Sequence, residues 1–282
     1  MGFEEAAPCR HAGVPPADVV KNITRLITDL ASKESVLGEY GLTAQEYREA
    51  LPAAIEGMRG RMSASVGDRR QFLGTLFESM LAEGHISRLE KPDYGDDTVY
   101  RLTIGGFGDV AVIQKGCPDG AHSSVRWSVP SWARETYLWW LCDSMRYEPG
   151  EHVAKGVNRL RKRFFGDLPG TLDGVIFHNH LCGHGQRECP KADRAVTLGG
   201  IRTPPPCIYV MPDARDGAQE WNWNGTQTRV FPTVLLGAFG IPTEQVPSYT
   251  GYVGFQRRAD ALRTTITSRY GGVRTTTHSY RS

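Results

Sequence analysis

The chain has 282 residues, 33 of them basic and 31 acidic, with 40% apolar and 10% aromatic side chains; this is the composition of a folded globular protein and excludes a disordered tail or a fibre. No run approaches the ~18 uninterrupted apolar residues of a membrane span, and the opening Met1-Gly2-Phe3-Glu4-Glu5 lacks the basic start and apolar core of an export signal, so a cytoplasmic protein without membrane association is expected. Residues 1–100 hold 11 basic and 16 acidic groups against 22 and 15 over 101–282, and a positive second half suits a polyanionic partner.

Residues 17–31 place Val19, Val20, Ile23, Leu26, Ile27 and Leu30 at helical spacing. Thr43-Ala44-Gln45-Glu46 is a capping box that opens a second helix, which Pro52 interrupts or restarts. A third helix, about 68–83, carries Phe72, Leu73, Leu76, Phe77, Met80 and Leu81 on one face. Residues 1–66 are thus read as a helical N-terminal region and 67–282 as a second domain. The period then changes to two: Tyr100, Leu102 and Ile104 alternate in one run, Val110 and Val112 in the next, with Gly105-Gly106 between them as the turn of a β-hairpin. Two helices, about 131–146 and 152–165, precede the apolar strand Val175-Ile176-Phe177, and Pro204-Pro205-Pro206 introduces a strand over 207–211. Residues 230–239 suit either a helix or a buried strand.

Wound as a helix, 131–146 puts Glu135 within the arc of Trp132, Leu138, Trp139, Cys142 and Met145. A carboxylate on an apolar face needs a partner, either an arginine or a metal, because an unpaired buried charge costs several kcal/mol, roughly. In the hairpin, a two-residue turn pairs positions whose numbers sum to about 211, which sets Lys115 beside Asp96 and Asp97, and this is either a cross-strand ion pair or a catalytic edge. Downstream, His178, His180, Cys182, His184 and Cys189 are dense enough in thiol and imidazole to hold zinc, with Cys207 as a further candidate. Helix 152–165 sets Val153, Val157, Leu160 and Phe164 against Lys155, Arg159 and Lys162, a stripe able to follow phosphates. Arg257 and Arg258 begin a second basic stretch that includes Arg269, and its run from Arg263 to Ser282 contains no acid; it either contacts phosphates or bases, or remains a frayed tail. Trp221-Asn222-Trp223-Asn224-Gly225 is either a base-stacking loop or a surface turn packed by tryptophan.

The order helix, acidic hairpin, lysine, helix, with Pro92-Asp93 followed by Lys115, resembles the core of the PD-(D/E)XK nucleases, which include most type II restriction endonucleases. The resemblance implies an α/β (α+β) fold with a restriction-endonuclease-like central mixed sheet flanked by helices. It implies catalytic magnesium held by Asp93 or Asp97 and a second acid, Lys115 activating the attacking water, and Glu78 as the glutamate of the preceding helix. The second acid should stand two residues before the lysine, where this chain has Ile113, so Glu135 on the following helix takes that part. Leu168-Pro169-Gly170-Thr171-Leu172-Asp173, followed by the histidine and cysteine cluster, is similar to the very short patch repair endonucleases. That likeness implies magnesium on Asp173, catalytic roles for His178 and His184, and structural zinc on Cys182 and Cys189.

The expectation is a type II restriction-like endonuclease that hydrolyses double-stranded DNA with magnesium, working as a homodimer on a palindromic site. The rival readings are a zinc hydrolase built on His178, His180 and His184, and a non-catalytic DNA-binding protein that uses the same basic residues.

Overall fold

A computed structural model describes residues 17–62, 66–92, 99–116, 127–141, 149–165, 172–178, 192–213, 217–223 and 229–281. Two compact units are distinguished, one within residues 12–65 and one carrying residues 66–282.

The first unit is helical: α1 (Ala17–Leu30), α2 (Glu34–Glu39) and α3 (Ala44–Met62). The capping box forms as the sequence predicts. The Glu46 amide donates to the Thr43 hydroxyl at 3.2 Å, and the Thr43 amide donates back to the Glu46 carboxylate at 2.9 Å. This satisfies two amides that a helix start otherwise leaves unpaired. The helix runs on through Pro52 as one element rather than breaking there. Leu37 on α2 is buried, whereas Val19, Ile23 and Leu26 on α1 are exposed.

The second unit opens with α4 (Val66–Ala82), whose Phe72, Leu73, Leu76, Phe77 and Met80 are buried; Leu81, expected on the same face, is exposed. Strands β1 (Arg88–Glu90), β2 (Val99–Ile104) and β3 (Gly108–Gly116) form an antiparallel meander. Ile104 pairs with Gly108, so the hairpin loop is Gly105-Gly106-Phe107 and the register differs by one position from the one that a two-residue turn gives.

The predicted helix over 131–146 is instead strand β4 (Glu135–Leu141), in parallel register with β3. Every residue of β4 is buried, because one face packs on α4 and the other on α5 (Pro149–Phe164). A run that is apolar throughout fits a helical wheel as well as a strand buried on both faces, and periodicity cannot separate the two. Helix α5 approaches the sheet at Gly156, where a Cβ would stand 2.8 Å from the Phe177 ring and 3.1 Å from that of Trp140. Strand β5 (Gly174–His178) lies parallel to β4.

A separate small hairpin, β6 (Val196–Leu198) and β7 (Ile201–Thr203), precedes β8 (Cys207–Val210), which is antiparallel to β5. After β9 (Glu220–Trp221), residues 230–238 resolve as helix α6 (Val230–Ala238), whose Phe231, Leu235 and Leu236 join the core on the α4 side. The chain then makes three long strands, β10 (Thr250–Arg258), β11 (Ala261–Tyr270) and β12 (Val273–Arg281). The last two turn at Gly271-Gly272, both at positive φ (57° and 89°), the backbone of a tight hairpin turn that glycine adopts without steric cost. Of the two alternatives for the run from Arg263 to Ser282, the frayed tail does not apply: β11 and β12 pair as a hairpin. Among the described residues the principal sheet has ten strands in the order β1-β2-β3-β4-β5-β8-β10-β11-β12, with β9 beside β10. The protein is thus mixed α/β, a large mixed sheet flanked by helices with a partly helical N-terminal region.

Candidate nucleic-acid interface

The strand register decides which of the predicted catalytic residues can meet. Lys115 on β3 pairs with Trp140 on β4, and Glu135 pairs with Val110; five residues thus separate the lysine from the level of Glu135, roughly 17 Å at ~3.3 Å per residue. Lys115 and Glu135 lie at opposite ends of the sheet and cannot share a metal and a water. Glu78 on α4 is exposed and ion-paired with Lys91. Asp109, on β3, accepts from Arg101 Nε at 2.9 Å and from the Thr103 hydroxyl at 2.6 Å, and these donors hold its carboxyl below the usual range. His178 is fully buried; its Nε2 lies 2.9 Å from the Pro204 carbonyl and its ring meets Phe72 edge-on. It closes the far end of β5, away from Asp173, and fits a core role rather than the predicted catalytic one. Asp93, Asp97, His180, Cys182, His184 and Cys189 lie outside the described residues. Among the described residues no three His, Cys, Asp or Glu side chains converge as a metal site, so the Lys115–Glu135 arrangement does not fit the magnesium centre that the resemblance implies.

Glu135 and Asp173 do come together, because parallel pairing of β4 and β5 sets Tyr137 beside Gly174. Their partners are protein groups. Glu135 accepts the Tyr137 hydroxyl at 2.7 Å and the amides of Val230 and Phe231 at 3.0 and 3.2 Å. It thereby caps the N-terminus of α6, where unpaired amides and the helix dipole favour a negative charge. Asp173 accepts the Thr136 amide at 2.7 Å and pairs at 2.7 Å with Arg229, which also reaches Asp213 at 2.6 Å. Burial pushes the Asp173 carboxyl up to about 6, against the opposing pull of Arg229 and the Thr136 amide. Burial and the neighbouring Glu135 raise the Tyr137 hydroxyl far above its ordinary range. For Arg229, the Asp173 and Asp213 carboxylates outweigh the lowering effect of burial. Of the two alternatives for Glu135, neither the metal nor the arginine applies directly: a helix start and a tyrosine satisfy it. The cluster anchors α6 to the ends of β4 and β5.

Basic residues converge elsewhere. On β10–β12, side chains alternate between two faces. Val253, Phe255, Leu262 and Ile266 point to the side packed by α5. Gln256, Arg263, Thr265, Arg269, Arg274, Thr276 and His278 belong to the other face and are half-buried or exposed. Cross-strand pairs on this face are Thr265 with His278, Thr267 with Thr276 and Arg269 with Arg274. Arg263 Nη2 donates to the His278 ring nitrogen Nδ1 at 3.1 Å, and the Thr265 hydroxyl lies 3.2 Å from the same atom. At the other end, Arg269 donates to the Pro247 carbonyl at 3.2 Å and its guanidinium stands 5.4 Å from the Tyr252 ring. Arg274 reaches the Tyr252 hydroxyl at 3.3 Å, and Trp223 lies against the same ring at 5.6 Å. Arg258 Nε donates to Gln256 Oε1 at 3.2 Å. Strands β10 to β12 carry six arginines and no carboxylate. Acids flanking these strands include Glu220 on β9, engaged by Gln256, Asp260 in the β10–β11 turn, and Glu244 in the segment 243–248 that packs beside β10 and β11.

The basic residues expected to bind DNA are thus divided between two sides of the sheet. Lys155, Arg159 and Lys162 belong to α5, on one side, and Arg257, on that side too, stands over the Trp221 ring at 5.8 Å. Arg258 and Arg269 belong to the open face. Sequence reasoning singled out neither Arg274 nor His278 within the run from Arg263 to Ser282, and gave the anchoring Arg229 no site role. The signal for the first two was present in the period-two alternation of arginine and threonine on either side of Gly271-Gly272. No family model, curated protein or solved structure matches this chain.

Proposed function

We propose that the protein binds double-stranded DNA through the open face of β10–β12. The observation that carries this reading is a sheet face with Arg258, Arg263, Arg269 and Arg274 on strands that contain no carboxylate. Such a face matches a phosphate backbone in charge, and its threonines, glutamine and histidine supply neutral hydrogen-bonding groups between the cations. Of the readings drawn from the sequence, the DNA-binding one needs only groups that lie together.

Fluorescence anisotropy with mixed-sequence duplex DNA tests it. Four phosphate contacts predict affinity falling by on the order of 100-fold between ~50 and ~200 mM salt. Salt-independent binding, or full affinity in the Arg269→Glu/Arg274→Glu double variant, refutes it. Adding magnesium to the same mixture tests the endonuclease reading, which rests on Lys115, Asp93 and Asp97. New DNA ends that vanish in Lys115→Ala would establish cleavage; their absence from the wild type would leave a binding protein.

A further inference from the structure

We infer that the β11–β12 ribbon lies across the major groove of B-form DNA, with its arginine ends on the two phosphate rims and Thr265, Thr276 and His278 facing the base edges; this rests on the DNA-binding reading above. Arg263 and Arg269 are six residues apart on β11, with Arg274 paired to Arg269, so the charged ends stand ~20 Å apart at ~3.3 Å per residue. A major groove is ~12 Å wide. The arginines overshoot its rims by only ~4 Å on each side, a gap that a guanidinium turned inward covers.

The stretch between the charged ends is neutral. It consists of Thr265 and Thr267 on β11 opposite His278 and Thr276 on β12, of which Thr276 and His278 are exposed, Thr265 is half-buried and Thr267 is buried and contributes no contact surface. Threonine hydroxyls both donate and accept, and the methyl group suits the thymine methyl, a marker found only in the major groove. The Thr265 hydroxyl and Arg263 both engage the His278 ring, fixing the imidazole in the middle of the ribbon. A two-stranded ribbon fits the major groove of DNA, whereas a minor groove ~6 Å wide is too narrow for it. The deep, narrow major groove of A-form RNA is closed to side chains.

The test uses the full chain with duplex DNA, a duplex RNA of the same sequence, and DNA preloaded with netropsin, which fills the minor groove. The expected result is unchanged affinity with netropsin, at least tenfold weaker binding of the RNA, and loss of binding on methylation of guanine N7 within the bound segment. Thr276→Ala/His278→Ala is expected to change which sequences are enriched from a random pool while keeping the salt slope. Arg269→Ala and Arg274→Ala are each expected to lower that slope by about one with the melting temperature unchanged. Displacement by netropsin, equal affinity for the RNA, or an unchanged enriched sequence in the double variant would overturn the groove assignment while leaving DNA binding intact. Failure to bind duplex DNA even at low salt would overturn the DNA-binding reading itself, and the groove assignment with it.

Discussion

Replacing Asp173 with asparagine sets burial against ion pairing at the anchor of α6. The Asp173 side chain is only 10% exposed and touches Arg229 at 2.7 Å, yet burial raises its carboxyl from 3.8 to about 6. A carboxyl raised on folding holds its proton more tightly in the folded protein. Its contribution to stability is therefore fully present below the unfolded value and is lost as pH rises through about 6. At ~1.4 kcal/mol per tenfold change in proton affinity, ionisation at this site costs the folded state on the order of 3 kcal/mol by about pH 7.5. Asparagine cannot ionise, keeps an oxygen for the Thr136 amide, and leaves Arg229 with Asp213. It also turns an amide N–H toward Arg229, a mismatch that is the same at every pH. The quantity to measure is thus the stability of Asp173→Asn relative to wild type, by urea unfolding across a pH series. That difference should move in favour of the variant by on the order of 3 kcal/mol between about pH 4 and about pH 7.5. If the pair with Arg229 governs instead, the variant loses ground as pH rises and ends ~3–5 kcal/mol less stable, and the argument from burial fails.

Glu135→Gln keeps one acceptor but removes the charge that faces the start of α6, so chemical denaturation should show a loss of ~1–3 kcal/mol; unchanged stability would mean that α6 does not depend on this cap. Gly156→Ala gains ~1 kcal/mol of helix propensity but drives a methyl into the Phe177 and Trp140 rings, whose mutual stacking at 4.8 Å leaves little room to retreat. A net loss of ~1–2 kcal/mol is expected, and a raised melting temperature would contradict the close approach. Thr43→Ala should lower the helicity of the first unit, read by circular dichroism, with a cost of ~1 kcal/mol.

Elements whose pattern differs between two faces could be read from the chain. Helix α4 presents Phe72, Leu76 and Met80 to the core and Glu78 to solvent, and the β2–β3 hairpin alternates cleanly around its glycines. Strand β4 could not, because Thr136, Tyr137, Leu138, Trp139 and Trp140 are all buried and a uniform run carries no period. The reverse held for β11 and β12, where Arg263, Thr265, Arg274 and Thr276 alternate largely with threonines and serines, and Leu262 and Ile266 on β11 supply only a weak form of the apolar contrast by which strands are usually found. The anchor of α6 depends on contacts between Glu135 and residues 95 and 96 positions later in the chain; only the folded register of β4 and β5 brings these together.

As the last strand of the sheet, β12 has a strand on only one side among the described residues. An open edge is a template onto which another chain can add. This one carries Arg274 and Arg281 and no acid, so a second copy aligned against it would bring like charges together. Sheet continuation from one molecule to the next is therefore opposed most strongly in dilute salt, the condition under which the proposed binding of DNA by the same charges would be tightest. If the ribbon faces nucleic acid as proposed, the same charges hinder it from polymerising, and a two-fold assembly on a palindromic site would have to form through some other surface of the protein.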